Sequence, residues 1–169
     1  MTAVEKFKTD LANWFEKYGF GKLDITFDRD FALNVHEYHP ILVIGVQSYP
    51  EVSRYFEQFL YEYGLEYIGI FDPVLAFLHE LGHRMTLDTF SETELKLFQI
   101  TKEFSHEESE YDWYNSYWHI PDEFAANIWE INFINNFPEA AEELCMIYMN
   151  NWNEIFKDIT IEDFLKEVA

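Results

Sequence analysis

Residues 79–83 read His-Glu-Leu-Gly-His, and this pentapeptide constrains the fold more than any other stretch of the chain. Positions i and i+4 lie on one face of an α-helix, so this spacing predicts a helix that presents His79 and His83 side by side. The neighbours agree. Val74, Leu75, Phe77, Leu78 and Leu81 are apolar, which predicts a helix buried on most sides. Asp72 can cap it, and Pro73 suits its first turn because the missing N–H costs nothing there. Two histidines and a glutamate in a buried helix need partners. A metal would supply one: both imidazoles could reach a single Zn²⁺ at about 2.0–2.1 Å. Glu80, one residue round the helix, could then act as general base on a water at that metal. The plainer alternative is a polar helix face without metal. Gly82 is a poor helix former, costing about 0.8–1.0 kcal/mol against alanine, so its presence predicts close packing against the backbone there.

Two histidines do not complete a catalytic zinc site, which usually has three protein ligands plus water. A metzincin extension would need Gly at 86 and His at 89, where this chain has Thr86 and Thr89. A glutamate on a later helix is the other option. Residues 123–127 read Glu-Phe-Ala-Ala-Asn, just after Pro121 at a predicted helix start, and Ala125 and Ala126 are small enough for a close helix approach.

Together, HELGH and Glu-x-x-Ala-Asn resemble the signature of the ImmA/IrrE-type peptidases, compact gluzincin-like proteins often encoded by phages and mobile elements. The chain departs from that family's Glu-x-Glu-Ala-Asn-x-Phe-Ala segment at Phe124-Ala125 and at Ile128-Trp129. The resemblance implies His79, His83 and Glu123 as zinc ligands. It implies Glu80 as the base and Asn127 as the group supporting a ligand histidine. His119 and His106 lie near the glutamate signature and are further candidates, as alternative ligand or oxyanion stabiliser; surface histidines in a polar loop are the favoured alternative. His119 is carried as a catalytic candidate. Tyr114 and Tyr117 could also donate to an oxyanion.

Charge narrows the partners. The chain has 32 acidic and 11 basic residues, a formal net charge of −21. Phosphate-backbone binding needs the opposite sign, so no direct nucleic-acid binding is expected, and anionic membrane surfaces are disfavoured. No apolar run is long enough to span a bilayer, and no targeting segment is visible. The single cysteine, Cys145, permits no internal disulfide, so a reducing compartment, the cytoplasm, is expected.

The remaining pattern predicts one domain over residues 1–169. A helix is expected over 2–18, strands within 23–27, 31–35 and 41–46, a helix from Pro50 to about Tyr63, and a short strand at Glu66–Ile70. Helices follow to about Met85, over Leu95–Phe104 behind a Ser91/Glu94 capping box, from Pro121 to about Asn135, and from Pro138 and Thr160. The predicted architecture is α+β, minimal zincin-like: an N-terminal helix and a small mixed sheet packed on a helical second half that carries the HExxH and glutamate helices. Two functions fit. One is a zinc peptidase acting on a basic protein or peptide such as a DNA-binding regulator, with the Glu66–Ile70 strand pairing with substrate. The other is an acidic DNA mimic or interaction protein, of the anti-restriction or anti-CRISPR type, with a structural zinc. Glu103–Glu123, with seven acids and no base, would suit the second.

Overall fold

The computed structural model describes the chain except residues 29–31, 37–38, 46–49, 68, 71, 105–115, 158 and 169. The elements are α1 (Ala3–Lys17), β1 (Asp24–Asp28), β2 (Ala32–His36), β3 (His39–Gly45), α2 (Pro50–Glu62), α3 (Asp72–Thr86), α4 (Glu92–Phe104), α5 (Pro121–Asn136), α6 (Pro138–Ile155) and α7 (Ile161–Val168). They cluster into two compact units. The first comprises residues 1–48, 69–77 and 137–169, and the second 49–68 and 78–136.

In the first unit, α1 starts on a reciprocal cap. The Glu5 N–H donates to the Thr2 hydroxyl, and the Thr2 N–H donates to the Glu5 carboxylate. Gly19 follows the helix at φ +84°, a left-handed conformation that a side chain would resist. Phe7, Leu11, Trp14 and Phe15 form the buried face. They pack on α6, whose Ala140, Ala141, Leu144 and Tyr148 are buried in turn. Two alanines at this seam let the indole of Trp14 come close enough to donate to the Ala140 carbonyl at 3.0 Å. Phe7 meets Tyr148 edge-to-face at 5.0 Å. The strands lie in the order β1-β3-β2, with β1 parallel and β2 antiparallel to β3. β1 meets α1 and α7, the latter through the ring pair Phe27 and Phe164.

The α+β class is corrected by this architecture. Among the described residues helix predominates: the seven helices named above, of 8 to 18 residues, stand beside three strands of 5 to 7. No strand occurs among the described residues of the second unit; the sheet belongs to the first unit, while the HExxH pentapeptide and the glutamate helix belong to the second. Helical apolar spacing dominates the chain, and the β-branched runs build only a minor sheet elsewhere.

The second unit holds α2, α4, α5 and the greater part of α3 around Phe59, Leu60, Leu78, Leu81, Trp118, Ala126, Ile131 and Ile134. The expected strand at Glu66–Ile70 is also corrected. Its described residues, 66–67 and 69–70, are not strand. Asn135 on α5 holds the chain at the start of this segment: its amide donates to the Gly64 carbonyl at 2.8 Å and accepts from the Glu66 N–H at 3.2 Å. Gly64, at φ +110°, turns the chain there. The Ser91/Glu94 capping box forms in both directions.

Because the α1–α6 seam is a fully buried apolar contact, Leu11→Ala is expected to cost about 2–5 kcal/mol. Urea unfolding checks this: the midpoint should fall with little change in slope.

Candidate metal centre

The centre starts from one close approach of two helices. A Cβ placed on Gly82 of α3 would stand 2.5 Å from the Ala126 carbonyl oxygen and 3.0 Å from its Cα. The backbones of α3 and α5 therefore touch where a larger residue could not stand, which is the close packing that Gly82 and Ala126 predict. Glu123 and Asn127 flank Ala126 on α5, four residues apart and so on one helical face. His79 and His83 hold the same relation on α3.

The two faces meet. His79 Nε2 lies 2.9 Å from Glu123 Oε2, His83 Nε2 lies 3.1 Å from the same oxygen, and the two Nε2 atoms are 3.1 Å apart. Three donor atoms from His79, His83 and Glu123 thus converge on one small space. A tetrahedral zinc with bonds of about 2.0–2.1 Å spaces its ligands roughly 3.3 Å apart, so the triangle needs to open by only a few tenths of an ångström. The donor set, two imidazoles and one carboxylate, is also one that zinc accepts. The residues present therefore fit the ion.

The surroundings orient these donors. The Nδ1–H of His79 donates to Asn127 Oδ1 at 2.8 Å, which leaves Nε2 as the ring nitrogen that carries the lone pair in the neutral imidazole. Asn127 is fully buried. The ring of Phe56 meets His79 edge-on at 5.4 Å. Glu123, only 3% exposed, is satisfied through both oxygens. Its Oε2 faces the histidines, while Oε1 accepts from Lys102 Nζ at 2.6 Å and from the Tyr117 hydroxyl at 3.0 Å. Lys102 also donates to Asp122 at 2.7 Å.

These contacts move the protonation equilibria. Burial works to lower the pKa of His79, but the hydrogen bond and charge of Glu123, with the charges of Glu80 and Glu130 behind them, outweigh it and raise it to about 9. Burial works to raise Glu123, and the two histidines override it and hold the carboxyl far below the ordinary range. Burial, then the charge of Glu123, pushes the Tyr117 hydroxyl far up, so it remains a neutral donor. Burial likewise raises Glu130 well above the ordinary carboxylate range. Its two oxygens have no hydrogen-bond partner among the described residues.

Glu80 is half-buried, next to His79 in the chain, and its carboxylate makes no hydrogen bond among the described residues. His119 lies elsewhere. It is exposed, its Nε2 pairs with the Tyr63 hydroxyl, its ring stacks on Phe124 at 5.8 Å, and it is outside the convergent donors. His106 and Tyr114 lie outside the described residues. Lys102 was not legible in sequence: it sits 21 positions before Glu123 on a different helix, and no local pattern joins them.

Comparison with models of known protein families, with curated proteins and with solved structures gives no match. No helix of the described residues is long and apolar enough to cross a membrane.

Two outcomes follow from this geometry. Gly82→Ala gains about 1 kcal/mol of helix propensity. It also forces a methyl onto the Ala126 backbone, an overpacking cost of about 1–3 kcal/mol or more. Net destabilisation with weakened metal uptake is expected, read by thermal melting and metal titration; a stabilised variant with full uptake would contradict the close approach. The second outcome concerns protons. Without metal, His79 keeps its proton up to about pH 9, and the stability it gains from Glu123 is present below pH 6.5 and lost as pH rises through 9. A ligand must be unprotonated, so zinc uptake at pH 7 should expel about one proton and tighten about tenfold per pH unit up to pH 9. Calorimetry in buffers of different protonation enthalpy measures that release.

Proposed function

We propose that this protein is a zinc-dependent peptidase of the ImmA/IrrE type that cleaves a basic polypeptide, such as a DNA-binding regulator. The observation that carries the reading is the convergence of His79 Nε2, His83 Nε2 and Glu123 Oε2, with Asn127 holding the His79 ring and Glu80 left open beside it. Zinc bound there would supply Lewis acidity toward a peptide carbonyl and toward water. Glu80 takes a proton from the attacking water and passes it to the leaving amine. Asn127 keeps His79 in the ligating tautomer. The histidines are partly open, 13% exposed for His79 and 25% for His83, which leaves a side from which substrate can approach.

The substrate class rests on charge. A net −21 repels nucleic acid and attracts basic chains. Pairing of substrate with a strand at Glu66–Ile70 has no part in this reading, because the described residues of that segment are not strand. The cytoplasm, with its reducing conditions, suits a chain whose one cysteine forms no disulfide.

The same charge supports a second reading, an acidic protein that occupies a DNA-binding partner and uses its metal only for stability. Glu80→Gln separates the two. The amide keeps the shape but cannot accept the water's proton. Peptidase function predicts an intact fold, unchanged zinc content and a fall of about 10²–10⁴-fold in the hydrolysis of basic peptides. Equal biological potency of wild type and variant would favour the acidic mimic.

A further inference from the structure

We propose that Lys102 and Tyr117 are positioning residues that restrict Glu123 to one ligating oxygen, and that they thereby keep a coordination position open; this rests on the zinc reading above. A carboxylate can bind a metal through one oxygen or both. Here the two oxygens of Glu123 face different partners. Oε2 lies between the histidines, at 2.9 and 3.1 Å. Oε1 lies between the Lys102 ammonium at 2.6 Å and the Tyr117 hydroxyl at 3.0 Å. With two donors on it, Oε1 cannot turn toward the metal without breaking both of these hydrogen bonds.

The ammonium is itself anchored. Asp122, the residue before Glu123, accepts from Lys102 at 2.7 Å, and the Tyr117 ring lies 5.6 Å beneath Nζ. Lys102, Asp122 and Glu123 are 15%, 14% and 3% exposed, so water competes weakly for these contacts. A four-coordinate ion with two imidazoles and one carboxylate oxygen has a fourth position for water or substrate; two-oxygen ligation would fill it from the protein. Lys102 comes from α4 and Tyr117 from helical residues 116–118 shortly before α5, so the restriction depends on α4 packing against the glutamate helix.

The test uses the full chain, stripped of metal and loaded with one equivalent of Co²⁺ as a spectroscopic stand-in for zinc. Visible absorption separates an intense four-coordinate band from the weaker bands of five- and six-coordinate ions. Wild type should show the four-coordinate band. The double variant Lys102→Met/Tyr117→Phe should lose it and show the weaker, higher-coordinate bands, and Lys102→Arg alone should keep the wild-type spectrum, because a guanidinium can still donate to both carboxylates. Should the double variant not fold, Tyr117→Phe alone carries the test: it removes one donor and no charge, and part of the intense band should be lost. A wild-type band retained in every folded variant overturns the inference and leaves the zinc reading standing. A wild-type chain that takes up neither Co²⁺ nor Zn²⁺ overturns both.

Discussion

Everything at the candidate centre depends on the contact between Gly82 and Ala126. A Cβ at 82 would stand 2.5 Å from a backbone oxygen, so the approach exists only because position 82 is glycine. That approach places the i, i+4 pair of α3 opposite the i, i+4 pair of α5. One imidazole, His79, then reaches both partners at once, Glu123 through Nε2 and Asn127 through Nδ1. If the helices stood further apart, the same four residues would be two polar faces without a common point.

The second requirement is electrical. Glu123 is buried with its charge, and an isolated buried carboxylate is costly enough that it would take up a proton instead. Two imidazoles and one ammonium surround it, with a hydroxyl completing its hydrogen bonds. This ring of donors explains how a strongly acidic chain keeps an ionised glutamate inside. It also explains why the metal-free centre holds a proton on His79 that an incoming cation must displace. The ammonium is that of Lys102, one of only 11 lysines and arginines in the chain.

What the sequence revealed is what local chemistry decides. The Ser91/Glu94 box was legible because a cap involves residues three apart. The HExxH helix was legible because its face repeats every turn. Gly82 was legible as a close contact because glycine has no other reason to stand there. Lys102 was not, since its partnership with Glu123 arises only when α4 folds against α5. The weight of the sheet was misjudged because β-branched runs announce strands without announcing what they pack on. Glu66–Ile70 looked like a strand by composition, yet its described residues are not strand, and the amide of Asn135, nearly seventy positions away, holds the backbone at Gly64 and Glu66. Long-range side-chain contacts of this kind override local propensity and leave no local trace. Two short motifs singled out His79, His83 and Glu123, and the fold brings donor atoms of these three residues to a shared centre.

The central claim is that His79, His83 and Glu123 hold a zinc ion. Elemental analysis of chain purified without chelator, for wild type and for Glu123→Ala, tests it most directly. The account predicts one zinc per chain in wild type and loss of most of it in the variant, with helical content kept in both. Wild-type chain without stoichiometric metal, or Glu123→Ala with undiminished zinc, would contradict it.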